Sequence, residues 1–170
     1  VRAQLGVPFF SLFLLFFALL ITGGCGFTPM FVDNNTDIYV APISGINGID
    51  LRNALWGRFG GRRDAGAAYT LTVRLKEPIT QYKALERTGD ATWQEVSLTA
   101  DYTLSYNGAD IATGTENAAE SYTFVRYLVA SNASYNNAVQ NTIRVLADKI
   151  GTRVIAETYR HSKQVAGSRQ

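Results

Sequence analysis

The sequence is short of the residues that carry most side-chain chemistry. It has one cysteine and one histidine among 170 residues. A single cysteine excludes an internal disulfide, so any exported form of the chain must hold its fold by burial alone. One imidazole excludes a metal site built from several histidines. His161 lies among Arg160, Ser162, Lys163 and Gln164, and reads as a solvated residue of a polar tail. No Cys pair, phosphate-binding Gly-rich loop or dinucleotide fingerprint is present. Glu116 and Glu120 are four apart, but their segment reads as strand or loop, so they form no acid–base pair. The expectation is a chain with no catalytic residues, no metal and no cofactor; a hydrolase using His161, Glu116 and Glu120 is the alternative. Charge is sparse too, at 18% charged residues and a formal net charge of +2. That argues against a general nucleic-acid binder.

Against this scarcity stands one dense apolar run. From Phe9 to Ile21 every residue but Ser11 is apolar, and Arg2 is the only charge ahead of it. The run suits the core of a signal peptide and is shorter than the roughly 20 residues of a spanning helix. An uncleaved inner-membrane anchor is the alternative. The run breaks into Thr22, Gly23 and Gly24, small residues that leave the backbone open to a peptidase, and Cys25 follows at once. This segment resembles the lipobox of bacterial lipoproteins, with Thr22 where Leu or Val is usual. The resemblance implies cleavage before Cys25 and a thioether-linked diacylglycerol plus an N-acyl chain on that residue. A free thiol near the cleavage site is the alternative. Each buried acyl CH₂ contributes about 0.8 kcal/mol, so two or three chains hold a protein to one leaflet. Gly26 stands where an Asp is associated with inner-membrane retention, which favours the outer membrane.

Residues 1–24 are therefore expected to be a lipoprotein signal peptide and 25–36 a lipidated cysteine with its tether. Residues 37–160 are expected to form a single α+β domain, and 161–170 a flexible polar tail. Taking Arg2 from the 16 basic residues leaves 15 against 14 acidic, so the part after the signal peptide is near neutral. Ile38 to Ile43 is β-like, with Pro42 near its end or on an edge. Leu51, Leu55 and Phe59 recur every fourth residue, with Ala54 beside them, and predict a short helix. Asp50 or Asn47 is its expected cap, Gly60-Gly61 its stop, and Arg52 and Arg58 face away from the stripe. Tyr69 to Lys76 alternates cleanly and predicts a half-buried strand. Residues 77–91 are polar and read as a long loop. Val96 to Tyr106 alternates again, Asn107-Gly108 is a strong hairpin signal, and a return strand runs from Ala109 to Thr115 and weakly towards Phe124. Val139, Ile143, Leu146, Ile150 and Val154 share one helical face, predicting a helix from about Ser134 to Tyr159 with Ser131, Asn132 or Ser134 as cap. The expected fold is α+β in the order β-α-β-β-β-α: two helices packed on one face of a four-stranded mixed sheet, the other face open.

What remains for function is binding. Arg62, Arg63, Arg74, Lys76, Lys83 and Arg87 fall on loops or on the polar strand face. Guanidinium and ammonium groups suit phosphate or carboxylate, although scattered basic residues also serve solubility alone. Trp93, Tyr122, Phe124 and Tyr127 are either partner anchors or core.

Several segments, in order, resemble one family. Cys25-Gly26-Phe27-Thr28-Pro29-Met30-Phe31 resembles its Cys-Gly-Phe-x-Pro-Leu-Tyr start, and Leu51-Arg52-Asn53-Ala54-Leu55 its Leu-Arg-Asn-x-Leu helix. Tyr69-Thr70-Leu71-Thr72-Val73 and Ala100-Asp101-Tyr102-Thr103-Leu104 resemble its strands. Leu146-Ala147-Asp148-Lys149-Ile150 resembles its last helix, although Tyr135-Asn136-Asn137 departs from the Ala- and acid-rich opening usual there. This is the lipopolysaccharide-assembly lipoprotein family, the LptE-like proteins in their alphaproteobacterial form. The resemblance implies an outer-membrane lipoprotein on the periplasmic side. It would plug and help assemble the LptD-like β-barrel lipopolysaccharide translocon, and contact lipopolysaccharide itself. A generic envelope lipoprotein with an adaptor role is the alternative. Lipid A phosphates would favour Arg74, Lys76 and Arg87, a choice made on chemistry alone.

Overall fold

The computed structural model of the chain describes residues 37–60, 64, 66–85, 91–124 and 127–167. The expected signal peptide, Cys25, the tether and residues 168–170 lie outside them. The described elements run β1 (Ile38–Val40), α1 (Ile46–Arg58), β2 (Tyr69–Leu75), β3 (Ile79–Leu85), β4 (Ala91–Tyr106), β5 (Ala109–Thr123) and α2 (Leu128–Gly167). The fold is α+β as expected, with five strands rather than four.

The additional strand is β3, inside the segment read as a loop. Leu75 pairs with Ala100, the Lys76 N–H donates to the Thr99 carbonyl at 2.9 Å, and Ile79 pairs with Ser97. The two strands thus lie end to end along the same edge of the 16-residue β4. One residue more lies on their side between those pairs, around Glu77 and Pro78, which is a bulge. Pro78 lacks an N–H and is tolerated at such an interruption. The polar sequence of β3 hid it; the unpaired backbone of β4 recruits it. The bulge also exchanges the faces, so Thr80 and Tyr82, opposite Val96 and Gln94, follow Leu71 and Val73 on the helix side.

β1 pairs parallel with β2, and β2 and β5 flank β4 antiparallel. β4 and β5 meet through Asn107 (φ 47°) and Gly108 (φ 83°), the two left-handed residues that a tight hairpin needs. β5 runs the full length of its partner, to Thr123, beyond the Thr115 that alternation supported well.

The core lies between one sheet face and both helices. Leu71, Val73, Val96, Leu98, Ala100 and Leu104 from the sheet meet Leu51, Leu55 and Phe59 of the α1 segment and Ile143, Leu146, Ile150 and Val154 of α2. α1 begins at Ile46, one residue before Asn47 and four before Asp50, the two expected caps. Gly45 precedes it and no side chain caps it, so neither Asp50 nor Asn47 has that role. α2 spans 40 residues, about 60 Å at the α-helical rise. Ser131, Asn132 and Ser134 are inside it, not at its start, and the Tyr127 carbonyl accepts the Ser131 N–H at 2.9 Å. Residues 161–167, expected in a loose tail, are its last turns. Extending an existing helix costs little per residue, and here the extension is tied down at His161.

His161 is therefore no solvated tail residue. Its Nδ1 lies 3.2 Å from the Tyr69 hydroxyl, and its ring packs 4.6 Å from that of Tyr106. Within the helical layer, Gly151 lets α1 approach α2. A Cβ there would lie 2.5 Å from Arg58 Cδ and 2.7 Å from Nε. Arg58 pairs with Asp148 and reaches Thr152 at 3.2 Å. Gly151→Leu should push Arg58 out and overpack this contact, lowering stability by about 2 kcal/mol in a urea titration. An unchanged midpoint would mean that the helices have room to spare.

Three tyrosines, Tyr102 and Tyr122 buried and Tyr69 partly so, give the fold a pH response. Burial raises the hydroxyl pKa of Tyr69, Tyr102 and Tyr122 above 10.0, aided by Tyr106, Glu116 and Tyr135 respectively. A raised folded-state value means that the folded protein holds the proton more tightly. The associated stability is present below pH 10 and is lost as pH climbs through the folded values. Chemical denaturation should show falling stability from pH 10 upward, with phenolate absorbance lagging that of free tyrosine.

Candidate functional site

Among the described residues nothing covers the side of the sheet away from the helices, and strand register organises it into rows. Tyr39, Thr70, Ser105 and Asp110 form one row across four strands. Thr72, Thr103 and Thr113 form the next, then Arg74, Asp101 and Thr115. Thr99 with Asn117, then Ile79, Ser97 and Ala119, then Gln81, Glu95 and Ser121 complete it. Side chains alternate along each strand, so once the core face is buried these residues have nowhere else to point.

The face is hydroxyl-rich and internally bonded. Ser105 donates to Asp110 at 2.7 Å, Thr115 to Asp101 at 2.7 Å, and Asn117 to Thr99 at 3.0 Å. Besides Asp110 beside Ser105, its charges form two small groups. Lys76 lies 3.1 Å from Asp101, and Lys83 2.9 Å from Glu95. The Thr115 hydrogen bond first, then the Lys76 hydrogen bond, hold the Asp101 carboxyl below its usual value. These pairs are exposed, so their worth is positional rather than energetic.

Of the three candidate phosphate contacts, the structure brings two together. Arg74 directly faces Asp101, and Lys76 bridges to it, so two cations share one carboxylate. The group keeps a surplus positive charge and donor capacity for an anion. Arg87 lies outside the described residues, as do Arg62 and Arg63. Asp101 was missing from the sequence reading, because nothing in the sequence shows that it faces Arg74; only the register does.

The four candidate aromatic anchors divide. Tyr122 is core: it is 8% exposed, donates to Gln94 at 2.5 Å and packs edge-on against Tyr135. Trp93, Phe124 and Tyr127 are 49%, 40% and 79% exposed. With Tyr82, Leu128 and Val129, also exposed, they occupy the end of the sheet where β4 begins and β5 finishes. By register Tyr82 is on the helix side of the sheet and Trp93 on the open side, so these exposed apolar residues are spread over both faces of that end.

Glu116 pairs with Arg153 at 3.3 Å. No cluster of three or more His, Cys, Asp or Glu suited to a metal occurs among the described residues. No described helix is long and apolar enough to cross a membrane.

The described residues thus form a two-layer α+β domain with a hydroxyl-rich open sheet face. Solved structures share its fold. A protein from Caulobacter crescentus assigned as a lipoprotein matches with a TM-score of 0.59 at 21% identity, over 72% of this chain and 91% of its own. The rare lipoprotein B from Shewanella oneidensis matches at 0.58 and 15% identity, over 74% and 98%. A minor lipoprotein from Acinetobacter baumannii matches at 0.55 and 18% identity, over 72% and 93%. At these identities the likeness is one of fold. No protein-family profile and no curated protein matches the sequence.

Proposed function

We propose that this chain is an outer-membrane lipoprotein, acylated on Cys25, that plugs and helps assemble a β-barrel lipopolysaccharide translocon from the periplasmic side. The observation that carries this reading is the join between the family-like segments and the fold. Leu51–Leu55, Tyr69–Val73, Ala100–Leu104 and Leu146–Ile150 occupy the helix, the paired strands and the last helix of one two-layer core. The shared fold of the three lipoproteins, the segment before Cys25, and an exterior rich in hydroxyls agree with it. A plug has most of its surface covered by its partner. An uncharged, hydrogen-bonding surface is cheaper to desolvate than a strongly charged one.

In this reading the exposed aromatic end contacts the barrel or acyl chains, and Arg74 and Lys76, with Arg87, meet lipid A phosphates. The role requires no catalytic residue, no cofactor beyond the acyl chains and no nucleic acid. Depleting the protein should lower the amount of correctly assembled barrel and of surface lipopolysaccharide, and crosslinking in intact cells should capture the barrel. Normal barrel assembly without the protein would leave the generic envelope adaptor as the better reading. Neutralising both, Arg74→Gln with Lys76→Gln, should weaken lipopolysaccharide binding about tenfold, the loss expected for one charge-assisted bond, with little shift of the thermal midpoint because the pairs are exposed.

A further inference from the structure

We propose that the outer edge of β5, together with the groove between it and α2, binds an extended acidic peptide segment of a partner protein as an added strand. The inference rests on edge geometry and not on the plug reading.

β4 is the strand beside β5 in the sheet, and it covers one side of it. The direction of the backbone groups on the other side follows from the register. The Thr99 carbonyl accepts from Lys76, so Thr99 turns its peptide groups towards β2 and β3. Asn117 faces Thr99, so its own N–H and C=O point away from β4. The register is unbroken from Trp93↔Thr123 to Leu104↔Ala112, so Thr113, Thr115, Ala119, Ser121 and Thr123 point outward likewise. One outward group is already taken: the Lys149 ammonium donates to the Asn117 carbonyl at 2.6 Å.

Lys149 belongs to a groove of about 600 Å³ lined by Glu116, Val145, Asp148, Lys149, Thr152 and Arg153. A strand added to the edge would lay every second side chain into it, the arrangement used by domains that recognise peptides through strand addition. The charges there favour an acidic strand. Asp148 is held by Arg58 and Glu116 by Arg153, whereas Lys149 spends its charge on a carbonyl. An incoming N–H would take that carbonyl and free the ammonium for a carboxylate.

The probe is a capped peptide of nine alternating valines and glutamates, with a lysine-for-glutamate counterpart, added to the full chain in detergent micelles. The acidic peptide should bind saturably and slow hydrogen exchange at the Ala119 and Ser121 amides at least tenfold, leaving Ala118 and Glu120 unchanged. Lys149→Ala should weaken binding at least fivefold. Ala119→Pro removes an outward N–H but no bond to β4, so it should abolish binding at an unchanged thermal midpoint. If that variant does not fold, the Lys149→Ala affinity and the exchange map decide. Three results would overturn the proposal: outward amides already protected in the free protein, equal binding of the lysine peptide, or protection that rises with protein concentration alone.

Discussion

Leu71→Asp should abolish cooperative folding. Leu71 is fully buried at the middle of β2, opposite Leu104 and beside Val40 of the parallel edge strand. Truncating such a leucine forfeits about 2–5 kcal/mol of burial and packing. The aspartate adds the cost of a charge with no cation on the core face, where the neighbours are Val40, Val73, Leu104 and Ile150. A domain of this size has only about 5–15 kcal/mol in total, so the two losses together consume most of it. Circular dichroism of the variant should show no sigmoidal melt, and a protease should degrade it at the rate of an unfolded chain. Thr72→Asp, one residue away on the open face, should fold normally, because its carboxylate stays in water. A cooperative melt for Leu71→Asp would mean that β2 is turned over.

The second large effect concerns the anchor. Cys25→Ala should bring palmitate incorporation to background and move the protein out of the membrane fraction. The expectation follows from the thioether bond: only the sulfur of Cys25 can carry the diacylglycerol, since it is the one cysteine in the chain. In the proposed form two or three acyl chains would supply the attachment at about 0.8 kcal/mol per methylene, and no described helix is long and apolar enough to cross a membrane in their place. The variant's thermal melt should be unchanged if the domain folds without its lipid. Labelling that persists in Cys25→Ala would place acylation elsewhere, and a variant still in the membrane without label would point to an uncleaved N-terminal anchor.

The sequence was legible wherever a single periodicity met a single environment. The α2 stripe from Val139 to Val154, the alternation from Val96 to Tyr106 and the Asn107-Gly108 turn all lie where they were expected. β3 was not legible because Gln81, Tyr82 and Lys83 serve a strand with both faces largely open, where no apolar alternation is required. The ends of both helices were misplaced for a related reason. Gly45 begins α1 without a side-chain cap, and α2 continues to Gly167 with His161 docked on Tyr69 and Tyr106, a contact made across 92 residues.

The candidate site divides along the same line. Arg74 and Lys76 could be chosen from chemistry, but their shared Asp101, the threonine row through Thr72, Thr103 and Thr113, and the Lys149 that closes one rung of β5 exist only once the strands are in register. By itself the sequence determined both helices and every strand but β3 of one α+β core, and the absence of disulfide chemistry, because those depend on residue type and local spacing. Tertiary structure alone decided which polar residues stand side by side and which strand edge is left open. Those are properties of pairing between distant segments, and hydrogen-bond register carries no trace in local composition.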